Sequence, residues 1–145
     1  MNGLSLSWPT WAALSAVFAA LTAIFGKLGV EKINSDFATL IRTVIILGVL
    51  AAIVVGTNAW QPLGSVSRRT WLFLGLSALA TGASWLCYYR ALQLGPAAGV
   101  APIDKASVLL VAIFAAGFLG ERLSLTGWIG VAMAGAGAVL VAVKG

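Results

Sequence analysis

Residues 34–56 read NSDFATLIRTVIILGVLAAIVVG, and this stretch decides the fold. Asn34, Ser35 and Asp36 offer capping oxygens, and such side chains satisfy the free N–H groups of a helix start. The residues from Phe37 to Gly56 then carry one charge, Arg42, in a run of Val, Ile, Leu and Ala. A helix rising about 1.5 Å per residue crosses about 30 Å of hydrocarbon in roughly 20 residues. The segment is therefore predicted to be a membrane-spanning helix.

Working outward, the same pattern recurs on both sides, giving expected spans at about 8–29, 34–56, 70–93, 97–119 and 125–143. Pro9 suits the first turn of the first span and Gly29 its end. The segment from Thr57 to Arg69 is the longest polar break, with Asn58, Gln61, Pro62, Gly64, Ser65 and Ser67 before Arg68 and Arg69. Leu94-Gly95-Pro96 separates the third span from the fourth, and Gly120-Glu121-Arg122-Leu123-Ser124 separates the fourth from the fifth. Gly127, Gly130, Gly135 and Gly137 in the last span suit close helix approach, because helices inside lipid associate by packing rather than by a hydrophobic force.

Composition gives the same answer. Apolar residues make up 61% of the 145 and charged residues 9%, with a mean hydropathy of +1.02. A soluble domain of this length cannot enclose that much apolar surface, so lipid is the expected partner of most side chains. The expected fold class is all-α membrane protein, with residues 1–145 forming one domain of about five transmembrane helices. No Lys or Arg precedes the first span, which is read as a mature helix rather than a cleaved signal.

Several function classes drop out. The basic residues behind the net charge of +5 are scattered among apolar spans and form no stripe, so no nucleic-acid partner is expected. Histidine is absent, Cys87 is the single cysteine, and no glycine-rich phosphate loop is present. No metal, cofactor or catalytic set is expected, and the chain is not read as an enzyme. Cys87 has no partner for an intramolecular disulfide and is read as a small packing residue.

The informative residues are charges inside spans. Arg42 lies about a third of the way into the second span and Asp104 with Lys105 at a similar distance into the fourth, where an ionised side chain costs roughly 2.5–3.5 kcal/mol on insertion scales. Alternating the spans places Lys27, Arg42, Arg90, Asp104 and Lys105 toward one membrane face, with Arg42 and Asp104 each about 10–12 Å inward. Two readings follow. Either these residues form an ion network that fixes helix register, with the long cations reaching toward headgroups, or they line a hydrophilic cavity for a polar or anionic solute. Pro102 supports the cavity by breaking the fourth helix, unless it merely marks the helix start. Trp85, Tyr88 and Tyr89 precede Arg90 in the third span and suit either cation-π contact in that cavity or helix packing. Lys and Arg are nearly balanced across the two faces, Arg68, Arg69 and Arg122 against Lys27, Lys32, Arg90 and Lys144, so neither insertion is favoured.

Tyr89-Arg90-Ala91-Leu92, Gly95, Ala98-Gly99-Val100-Ala101-Pro102, Gly120-Glu121-Arg122-Leu123-Ser124 and Trp128-Ile129-Gly130 resemble the EamA repeat of the drug/metabolite transporter superfamily. Ala101-Pro102-Ile103-Asp104-Lys105 and Phe37-Ala38-Thr39-Leu40-Ile41-Arg42 are most similar to the five-helix bacterial and archaeal group. Ten-helix members contain two such repeats in opposite orientation around a central path. With one repeat here, the resemblance implies a second copy, as an antiparallel homodimer or with an inverted paralogue, in a prokaryotic cell (inner) membrane. Asp104-Lys105 departs from the uncharged segment of many EamA repeats, and Glu121-Arg122 is read as a capping and surface pair.

The resulting expectation is a secondary transporter of a small polar or anionic solute. Its substrate or ion site would comprise Arg42, Asp104, Lys105, Lys27, Arg90, Tyr89 and Trp85 beside the Pro102 break, with Asp104 as the proton carrier. The alternative is a structural or regulatory membrane subunit that moves nothing.

Overall fold

The computed structural model describes residues 7–144, the Lys144 side chain excepted. Its helices are α1 (Trp8–Val30), α2 (Ser35–Gly56), α3 (Arg68–Leu94), α4 (Ala97–Lys105), α5 (Ser107–Phe114) and α6 (Leu125–Lys144), with a 3₁₀ turn at Leu63–Ser65 and a π-helical segment at Ala115–Leu119. No strand occurs among the described residues. Five segments are long and apolar enough to cross a bilayer, the fourth being Ala97–Leu119 taken through its interruption. Large apolar side chains such as Phe18, Ile45, Leu79 and Phe118 are left uncovered by protein, as expected where lipid replaces a protein core. The chain is an integral, multi-pass, all-α membrane protein.

The chain divides into two compact units, one from Leu28 to Gln93 and the other combining the residues up to Lys27 with those from Leu94 onward. In the first unit, the Asn34 Oδ1 accepts the Asp36 and Phe37 N–H groups at 2.9 and 3.2 Å, which starts α2. Ser35, Ala38 and Thr39 are buried, a helical stripe that continues to Arg42. The Thr39 and Thr43 hydroxyls donate to the carbonyls four residues back, so their polar groups need no outside partner. After α2, Asn58 adopts φ 53°, and its short polar side chain tolerates this left-handed cap. The next helix begins two residues earlier than the hydropathy suggests, at Arg68, because the Ser67 hydroxyl accepts the Thr70 N–H. Arg68 and Arg69 thus belong to the first turn of α3 rather than to the loop.

The second unit contains the body of α1 with α4, α5 and α6. Pro102 is the sixth residue of α4, beyond the first turn. It has no N–H for the Ala98 carbonyl, so the helix is already one bond short there. One turn later the ladder breaks, and the Ala106 N–H donates to the Ile103 carbonyl, three residues back instead of four. The Leu109 N–H repeats that pattern with the Ala106 carbonyl, so α4 and α5 are joined by a tightened turn at Ala106. Helix α6 packs along both α4 and α5. The approach to α5 depends on Gly135, where an added Cβ would fall inside the Leu109 side chain, 2.9 Å from its Cγ. The π segment ends at Gly120, φ 69°, with the Glu121 N–H donating to the Ala115 carbonyl six residues back. Ser124 then caps α6 through the Gly127 N–H.

Candidate functional site

Within the Leu28–Gln93 unit, α2 and α3 bring a cation against aromatic rings. Arg42, about 10 Å along α2 from its start, places its guanidinium carbon 4.0 Å from the centroid of the Trp85 ring and 5.3 Å from that of Tyr89. Trp85 and Tyr89 are one turn apart on α3, which turns both toward the same neighbour. Tyr89 is buried, and Tyr88 meets it edge-on at 6.2 Å between centroids. Among the described residues Arg42 forms no ion pair. Its Nη1 is fully buried without a hydrogen-bond partner. The ring faces attract the positive charge, by about 2 kcal/mol when water is excluded. They offer no acceptor in the guanidinium plane, so the donor capacity of Nη1 is left over.

Arg90 belongs to a different constellation. Its Nε and Nη2 donate to the two carboxylate oxygens of Asp36 at 3.0 and 2.7 Å, a two-point fork between the last turns of α3 and the first turn of α2. One turn further, the Gln93 amide donates to the Ile33 carbonyl at 3.0 Å and the Val30 carbonyl at 3.4 Å. These contacts fasten the end of α3 to the turn between α1 and α2. They also set the rotation of α3 that presents Trp85 and Tyr89 to Arg42. Sequence reasoning named Arg90 as a site cation and Asp36 only as a cap. The alternation of spans that grouped the cations by depth also puts Asp36 at that face, but depth alone does not say which side of α2 faces α3.

In the other unit, the Lys27 ammonium donates to the Gly95 carbonyl at 3.0 Å, where the chain turns from α3 to α4. Asp104 and Lys105 pair with each other, Nζ to Oδ2 3.1 Å, just before the interruption at Ala106. Their side chains are 34% and 67% exposed, so both groups are available to more than each other. Pro102 lies half a turn before Asp104.

With this geometry established, comparison with known proteins is informative. The EamA-like transporter family matches over residues 6–143. A curated relative from Sinorhizobium sp., described as an uncharacterized transporter in the cobO 3′ region, is 64% identical over 140 residues. That alignment spans 97% of this chain and 99% of the relative. No solved structure matches the chain. Five apolar helices, a family match over residues 6–143 and a transporter relative 64% identical lead to one conclusion: the chain belongs to the EamA-like transporter family and is a membrane transporter.

Proposed function

We propose that the protein is a gradient-driven secondary transporter of a small polar or anionic solute, working as a dimer of two five-helix units in a bacterial inner membrane. The observation that carries this reading is Arg42, a cation inside a span whose buried Nη1 has no partner in the described chain. Burying a guanidinium donor without an acceptor is costly, and a solute that supplies the acceptor offsets that cost when it binds. Asp104 is the proton carrier, sitting beside a helix interruption in a span with Lys105 as its neighbour. The dimer is supported by the resemblance to ten-helix members built from two inverted repeats and by the even distribution of Lys and Arg.

Purified protein in proteoliposomes with an imposed pH gradient tests the proposal against a broad metabolite panel. Solute uptake is expected to fall with Arg42→Ala, and its pH drive to vanish with Asp104→Asn. A non-transporting subunit is the competing reading, favoured by the structural engagement of Arg90 and Lys27. It gains if no solute moves and Arg42→Ala alters stability alone.

A further inference from the structure

We infer that the Arg42 site takes a singly charged organic carboxylate; this deepens the transport reading above and depends on it for biological meaning. The first argument is charge. In the Leu28–Gln93 unit, Arg90 is committed to Asp36 by two hydrogen bonds. Arg68 and Arg69 stand in the first turn of α3, about 24 Å along that helix from Trp85. Lys32 is exposed in the turn between α1 and α2, which leaves Arg42 as the one cation at the aromatic wall among the described residues of this unit. A monoanion neutralises it, whereas a dianion leaves a net negative charge where water is scarce, and a cation meets repulsion.

The second argument is geometry. Nη1 is a buried donor in search of an acceptor, and the planar fork of a guanidinium matches the two oxygens of a carboxylate. Trp85 and Tyr89 hold the guanidinium carbon at 4.0 and 5.3 Å without using its in-plane N–H groups. Trp85, which is half-buried, also presents apolar surface to the carbon body of a bound acid, while Tyr89 is buried behind the guanidinium. A bare inorganic anion would leave that surface unused.

A charge series on one carbon body tests the assignment. Purified protein in detergent at pH 7 is titrated calorimetrically with benzoate, benzamide, benzylammonium and phthalate. Benzoate should bind about tenfold or more tightly than benzamide, the discrimination expected of a charge-assisted hydrogen bond. Arg42→Gln should erase that difference, and Arg42→Lys should retain part of it, because the charge persists while the fork is lost. Benzamide or benzylammonium binding as well as benzoate overturns the proposal. So does tighter binding of phthalate, failure of benzoate to bind, or discrimination that survives Arg42→Gln. Should Arg42→Gln not fold, the series on the unaltered protein and on Arg42→Lys decides.

Flux separates this inference from the transport reading. Arg42-dependent movement of a neutral or cationic solute would remove the carboxylate and leave a transporter. Selective benzoate binding with no flux of any solute would remove transport and leave the anion site.

Discussion

Replacing Gly135 with alanine should weaken the fold through one contact. The new methyl would lie 2.9 Å from the Leu109 Cγ and nearer still to its Cδ1, so Leu109 must change rotamer or α5 and α6 must separate. Lipid supplies no hydrophobic penalty for separation, and the loss is one of packing. Overpacking of this kind costs about 1–3 kcal/mol. Leu109 is half-buried, which gives it room to swing and places the expectation toward the lower part of that range. The assay is unfolding in mixed micelles by dodecyl sulfate titration, followed by circular dichroism, on the two single variants and the double. Gly135→Ala should be destabilising alone and nearly neutral in a Leu109→Ala background, a coupling of about 1–3 kcal/mol. A Gly135→Ala protein within about 0.5 kcal/mol of the parent, or an equal cost in both backgrounds, would refute the notch.

Asn34→Ala removes the oxygen that accepts the Asp36 and Phe37 N–H groups and should cost about 0.5–2 kcal/mol in the same titration, with faster hydrogen exchange at those two amides. Gly120→Ala forces a methyl-bearing residue into φ 69° and should cost about 1–2 kcal/mol; Gly120→Asn should cost less. Gln93→Ala frees the turn between α1 and α2 from its clamp, so trypsin should cut after Lys32 several-fold faster, and an unchanged rate would reject the clamp. With Cys87→Ser and a cysteine added at the C-terminus, labelling from both sides of the membrane is expected of an antiparallel pair, whereas labelling from one side removes it.

The five spans were legible because hydropathy over about 20 residues is set by bilayer thickness and needs no knowledge of neighbours. The cap at Asn34 and the break that begins at Gly120 were legible because they are local chemistry. The partner of Arg90 was not. Asp36 lies 54 residues away, and that pairing depends on how α2 and α3 rotate about their axes, which a nearly uniform apolar surface encodes weakly. The interruption at Ala106 was legible only in part. Pro102 announces a weakened ladder, yet the tightened bonds fall at Ala106 and Leu109, downstream of the proline. The π segment left no signal in composition, since Ala115–Leu119 is as apolar as the helix before it. Arg42 stood out by depth alone, and Trp85 and Tyr89 by their place within the third span just before Arg90; their meeting became visible once the two helices were in place.

Helix α6 lies against the chain on either side of the interruption at Ala106. It acts as a splint, so the discontinuity does not leave two loose rods. The notch at Gly135 receives Leu109, so the piece beyond the break is keyed to α6 about one turn past Ala106. Asp104 therefore stands on a short helical piece that keeps its backing despite the missing ladder bonds.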